Sequence, residues 1–260
     1  VLDERLIRSL HVESLRRHDL HAGREPHVLF QASTIGALLE GAYDGEVSFA
    51  ELREHGDLGL GTLNGLDGEM IALDGGFYRA DVDGGVEEVD DERLTPFAVV
   101  VPFTPTVTAP LEAELGHDDL LAWLDEIAPA GADAFALRLD GHFSLVRARS
   151  VPKQRPPYRP LAEVIEEQHV FELRDVAGSI VGFRFPAYSE GIEVSGYHLH
   201  FITEDRSRGG HVLACSASRG VAAIDPSSDL HVELPPGISL DSPELSKAAH
   251  AAVERVERSG

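Results

Sequence analysis

Gly196-Tyr-His-Leu-His-Phe-Ile-Thr-Glu-Asp-Arg-Ser-Arg-Gly-Gly-His211 is the stretch on which the reading of this chain turns. Tyr197 to Thr203 favours β structure, and strand side chains alternate between faces, so His198 and His200 share one face. Arg206 to Gly210 is polar and ends in Gly209-Gly210, which predicts a turn and a returning strand that brings His211 beside the pair. Three imidazoles converging on one point, with no thiolate to close the shell, describe a catalytic zinc site with an open position. A solvent-facing strand carrying histidines is the competing reading, and the third histidine with its Gly-Gly turn favours the metal.

Composition bounds the rest. A chain of 260 residues, 43% hydrophobic and 26% charged, suits one large soluble globular domain or two small ones. The formal net charge of −23 disfavours nucleic acid and anionic membrane as partners. No run approaches the ~18 apolar residues of a membrane-spanning helix, and no signal peptide is evident. The expected compartment is cytoplasmic. The start at Val1 keeps a trimmed, secreted form in view. The single cysteine, Cys215, excludes an intrachain disulfide and a multi-cysteine metal site, and reads as a buried small hydrophobe. Of 22 lysines and arginines only Lys153 and Lys247 are lysine, and Lys153 sits among prolines in an exposed-looking loop. Imine chemistry, which needs a buried lysine of lowered pKa, is a poor fit.

The elements read as mixed α+β without strict βαβ alternation, on two mixed sheets. Three segments follow: an arm at 1–27 with helical leucine spacing, an N-terminal α/β domain at 28–155, and a C-terminal metal-binding domain at 156–260. Thr34 to Ala42 and Ser48 to His55 predict short helices, the second with a Ser48/Glu51 capping box. The glycine-rich run from Gly59 to Gly76 predicts hairpins, and Phe97 to Phe103 a strand buried on both faces. Leu111 to Glu114 and Asp118 to Ile127 read as helical. Ala134 to Leu139 and Phe143 to Val151 read as a strand pair turning at Asp140-Gly141. Pro152 to Pro160, with four of the 15 prolines, is the candidate linker. A short helix (Leu161 to Gln168), strands near Val170 to Leu173, Ile180 to Phe185 and Leu230 to Leu234, and a last helix from Pro243 to about Arg258 complete the chain.

Two groups from earlier in the chain suit a metal centre. Glu69 lies in Asn64-Gly-Leu-Asp-Gly-Glu69, where glycines permit close backbone approach, although a surface turn fits the same spacing. Arg147 and Arg149 share a strand face, and an arginine fork can clamp a carboxylate. Glu254 and Glu257 can share a face of the terminal helix.

In several separated blocks the chain resembles the α-acetolactate decarboxylases. These are Thr34 to Glu46, His55 to Ala72, Thr95-Pro-Phe-Ala98, Arg149-Ser-Val-Pro-Lys-Gln154 with Pro157-Tyr158, Val181-Gly-Phe-Arg184, Gly196 to Asp205, and Gly209-Gly-His211. The resemblance implies zinc ligands at His198, His200 and His211, with Glu69 and Arg149 in the site and Thr62, of the pair Gly61-Thr62, against the substrate. It also implies a glutamate from the end of the chain, Glu257, with Glu254 the alternative. Residues 1–27 and Val82 to Arg93 depart from the family pattern. The implied fold has two domains, the metal in the C-terminal one and facing the cleft between them.

The implied reaction converts (S)-2-acetolactate to (R)-acetoin and CO₂, and a homodimer is compatible with it. A β-keto acid carries its own electron sink, so no organic cofactor is expected. Zinc, or another divalent ion, stabilises the developing enediolate; Arg149 orients the carboxylate, and Glu69 or Glu257 supplies the proton. A zinc hydrolase with His₃-bound water is the alternative enzyme, and a zinc storage or sensor module the non-enzymatic one.

Overall fold

A computed structural model describes residues 11–15 and 25–234. The first elements are β1 (His11–Leu15), β2 (Val28–Ala32), α1 (Ile35–Leu39), β3 (Val47–Ser48), α2 (Phe49–His55), β4 (Leu58–Thr62), β5 (Glu69–Leu73) and β6 (Gly76–Ala80). There follow β7 (Val86–Glu88), β8 (Leu94–Thr95), β9 (Ala98–Val101), β10 (Val107–Leu111), β11 (Leu115–Gly116), α3 (His117–Ile127) and β12 (Ala134–Ser150). The last are α4 (Leu161–Val164), β13 (His169–Phe185), β14 (Gly196–Thr203), β15 (Gly209–Ser227) and β16 (Asp229–Glu233). The expected terminal helix, with Glu254 and Glu257, lies outside the described residues.

The strands form two main sheets. The first runs β1-β16-β2-β9-β4-β5-β6-β7 and is mixed, because β16 pairs in parallel with both β1 and β2. The second runs β10-β15-β12-β13-β14, and its far strand β14 also pairs with the start of β15, so the sheet closes on itself.

Alternation assigns each face. In the first sheet Leu58, Leu60, Ile71, Val99 and Val101 enter one cluster, and their neighbours Met70, Ala72, Ala98 and Val100 enter another with Phe49 and Leu52 of α2. In the second sheet Val181, Phe183 and Ile202 join the first of these clusters, whereas Ile180, Leu199, Phe201 and Val212 face α3 through Leu120 and Leu124. The two sheets therefore pack face to face over a shared core, with α2 and α3 on the outer sides. β9 is buried on both faces, as its unbroken apolar run requires. Ser48 and Glu51 form the expected capping box on α2, and Thr34 caps α1 by accepting from the Ala37 amide.

Several expected boundaries are corrected. Ala134 to Ser150 is one continuous strand, not a pair turning at Asp140-Gly141. Gly141 is there because a Cβ would lie 2.3 Å from the Arg219 carbonyl oxygen of the neighbouring strand, a contact no side chain tolerates. The two strands expected near Val170 and Ile180 are likewise one, β13. Leu111 ends a strand rather than opening a helix, and His11–Leu15, expected within a helix or a partly ordered arm, is a strand against β16. The segment boundary after residue 155 does not separate the sheets. β12 precedes it yet pairs with β13 and β15, and β16 follows it yet pairs with β2. Long-range ladder pairing, invisible to local pattern, sets this interleaving.

Candidate metal centre between the sheets

The histidines belong to adjacent strands of the second sheet. His200 in β14 is opposite His211 in β15, and His211 is in turn opposite Arg149 in β12, so one row crosses three strands. His198 lies two residues before His200, on the same face. That face carries Ile202 and Val181 into the shared core, so the imidazoles point at the first sheet. The turn between the strands is Thr203 to Arg208, closed by the Thr203 amide donating to the Arg208 carbonyl at 2.8 Å. Gly209 and Gly210, expected to end the turn, already lie in β15. Their smallness is needed for packing: a Cβ on Gly210 would lie 3.0 Å from the Arg149 carbonyl oxygen, and one on Gly209 2.7 Å from that of Phe201.

The three ring centroids form a nearly equilateral triangle with sides of 5.2, 5.2 and 5.3 Å. One ligand nitrogen from each ring lies within 4.8 Å of the others, and all three residues are buried. His200 Nδ1 is 2.8 Å from the Met70 carbonyl oxygen, which can only accept. The proton is therefore on Nδ1, leaving the lone pair on Nε2, a buried atom without a hydrogen-bond partner among the described residues. Burial pushes the His200 and His211 pKa values well below the usual histidine range; for His200 the neighbouring His211 adds to this, and the Arg149 charge acts on both. Neutral imidazoles with converging lone pairs are what a divalent ion requires, so the donor set fits a metal.

The opposite wall comes from the first sheet. Thr62 and Glu69 are partners in the β4–β5 hairpin and share the face of Leu60 and Ile71, so both look across at the histidines. Glu69 Oε2 is 3.6 Å from His200 Nε2, and its Oε1 is 3.5 Å from Arg149 Nη1. Glu69 and Arg149 are 8% and 5% exposed, so this acid and base meet away from bulk water. Thr62 donates its hydroxyl proton to the Gly68 carbonyl at 2.8 Å, which fastens the turn leading to Glu69. Arg147, which the sequence pairs with Arg149 on one strand face, is not among the cavity residues. Cys215 is buried in the outer cluster against α3, away from the site, and burial raises its thiol pKa to about 12.

These groups line a cavity of about 50 Å³. Thr62, Glu69, Arg149, His198, His200 and His211 make it polar on one side. Ile35, Leu38, Leu66, Phe97, Val151 and Leu161 close the other side. No sequence pattern singled out this apolar wall, because its members come from α1, α4 and scattered loops and look like ordinary core.

Fold and site together define a two-sheet protein with a buried, metal-competent polar cavity between its sheets. The family model for alpha-acetolactate decarboxylase matches residues 29–247. The chain is 46% identical over 231 residues to the alpha-acetolactate decarboxylase of Methanosarcina mazei, covering 89% of this chain and 80% of that protein. It is 44% identical over 236 residues to that of Methylococcus capsulatus, covering 90% of each. The crystal structure of alpha-acetolactate decarboxylase from Bacillus subtilis strain 168 superposes with a TM-score of 0.83 at 37% identity, covering 89% of this chain and 99% of that one. The chain belongs to the alpha-acetolactate decarboxylase family.

Proposed function

We propose that the protein is a divalent-metal-dependent, organic-cofactor-free decarboxylase that converts (S)-2-acetolactate to (R)-acetoin and CO₂, with zinc at His198, His200 and His211. The observation that carries this reading is the convergence of three buried ring nitrogens within 4.8 Å of one another, facing Glu69 and Arg149. A divalent ion held there supplies Lewis-acid stabilisation of negative charge on substrate oxygens.

The chain's own residues do the rest. Among the described residues that line the cavity, the Arg149 guanidinium is the one cationic side chain, and it receives the substrate carboxylate in a net-anionic protein. Holding that carboxylate out of the plane of the neighbouring ketone lets the breaking C–C bond overlap the carbonyl, so its electron pair passes into the ketone as CO₂ leaves. The enediolate that remains takes a proton at its former C2 carbon. Glu69, beside both the histidines and Arg149, is placed to deliver it to one face, which fixes product configuration. Glu257, or Glu254, is the alternative donor. The apolar wall limits water, which would otherwise protonate either face.

Metal analysis combined with a chiral acetoin assay on both acetolactate enantiomers tests the reading. Stoichiometric zinc with (R)-acetoin released from the S enantiomer is expected. Ester or amide turnover without CO₂ release would replace it with a hydrolase.

A further inference from the structure

Asp67, in the turn joining Thr62 to Glu69, receives three cations on one carboxylate. Arg79 Nη2 donates to Oδ1 at 2.9 Å, Arg93 Nη2 to Oδ2 at 2.9 Å and Lys153 Nζ to Oδ2 at 2.8 Å. Arg79 Nε also donates to the Asp67 carbonyl at 2.7 Å. The carboxylate is largely sequestered, with its side chain 12% exposed. Burial acts to raise its pKa, but hydrogen bonds and charge from Lys153, Arg79 and Arg93 outweigh that and hold it below the usual range, so it stays ionised.

The cations come from separate parts of the chain. Arg79 is in β6, Arg93 precedes β8, and Lys153 follows β12 in the loop that carries Val151 into the cavity wall. Asp67 thus ties the wall that holds Thr62, Leu66 and Glu69 to the strand exit that holds Arg149 and Val151. A second tie runs beside it, the Gln154 amide donating to the Gly65 carbonyl at 2.6 Å. Gly65 and Gly68 take φ of +73° and +94° freely, but Leu66 at φ +52° is in the left-handed region that a branched side chain disfavours, and the ties help hold it there. An ammonium on a flexible stem and two guanidinium forks, all centred on one buried acid, fix position more firmly than any one exposed pair.

We infer that Asp67 is a positioning residue for the decarboxylation: by gathering Lys153, Arg79 and Arg93 it sets the spacing of Glu69 from Arg149 across the cavity. The inference rests on the decarboxylase reading above. The test compares zinc-loaded wild type with Asp67→Asn, Lys153→Met and Lys153→Arg, measuring zinc content, thermal midpoint, kcat/KM and the enantiomeric excess of acetoin. Asp67→Asn should keep its zinc, lose on the order of tenfold or more in kcat/KM and release acetoin of reduced enantiomeric excess. Lys153→Met, at a half-exposed position that folding tolerates, should shift both in the same direction by less, and Lys153→Arg should restore them. Wild-type kcat/KM and enantiomeric excess in Asp67→Asn and Lys153→Met overturn the inference, whatever happens to their thermal midpoints, because a merely structural role moves only the latter. Should wild type itself release no acetoin, the functional reading fails separately. The tie is then judged by calorimetry with the reduced substrate, a 2,3-dihydroxy acid, whose affinity Asp67→Asn should weaken about tenfold; equal affinity overturns it.

Discussion

Acidifying the metal-free protein from pH 7 to 5.5 should destabilise it through His200 and His211. Both have folded-state pKa values pushed well below the ordinary range, chiefly by burial, whereas the unfolded chain titrates near ~6.5. Between those values the unfolded chain binds protons that the folded one cannot, so stability is fully present above about 6.5 and falls as pH drops below it. Each group contributes roughly 1 kcal/mol across this interval, and the pair about 2 kcal/mol. For a protein of this size that lowers the thermal midpoint by roughly 4–8 °C. Zinc at a thousand times its Kd adds about 4 kcal/mol and holds the imidazoles unprotonated, so the metal-loaded protein should be the more acid-resistant. His55 and His117, also lowered mainly by burial, act in the same direction, so the decisive measurement is a difference. Calorimetric scans of chelated wild type and of His200→Gln/His211→Gln at both pH values provide it, with either single variant serving if the double does not fold. The wild type should lose about 2 kcal/mol more than the double variant. Parallel losses would refute the reasoning and place the two imidazoles in contact with water.

Further expectations follow from the same geometry. His200→Ala should lose both zinc and turnover by elemental analysis and acetoin assay; full activity in a zinc-free variant would remove the Lewis-acid role. Arg149→Lys keeps the charge but loses the fork, so kcat/KM should fall by about 10- to 100-fold, the worth of a charged hydrogen bond; unchanged kinetics would take Arg149 out of the substrate contact. Glu69→Gln, nearly isosteric, should slow turnover on the order of 100-fold or yield racemic acetoin by chiral chromatography; unaltered rate and chirality would pass the proton to Glu257. Gly141→Ala places its Cβ against the Arg219 carbonyl oxygen and should cost about 1–3 kcal/mol in denaturant melts without changing zinc content.

Local chemistry was legible where the rule is short-range. The Ser48/Glu51 box, the doubly buried β9 and the shared face of His198 and His200 all follow from patterns a few residues long. Reading failed where a residue answers to a distant neighbour. Asp140-Gly141 has the composition of a turn, yet Gly141 serves close approach to Arg219, and the strand runs through it. Gly209-Gly210 was read as a turn for the same reason and is strand packed against Arg149 and Phe201. The site was half visible: three histidines from their own spacing, Glu69 and Arg149 through family blocks, and the apolar wall and the Asp67 hub not at all.

The sequence by itself determined the donor set, three imidazoles with no thiol and almost no lysine, and with it the chemistry open to the protein. It also set the alternation that puts His198 and His200 on one face. Only the tertiary structure decided that this face is turned inward, that closure of the second sheet sets His211 between His200 and Arg149, and that Glu69 of the other sheet stands 3.6 Å from His200. The physical reason is range. Side-chain alternation is fixed by backbone geometry within a few residues, whereas burial, pKa and the meeting of opposite walls depend on which sheets pack together, and that is settled by the whole core at once.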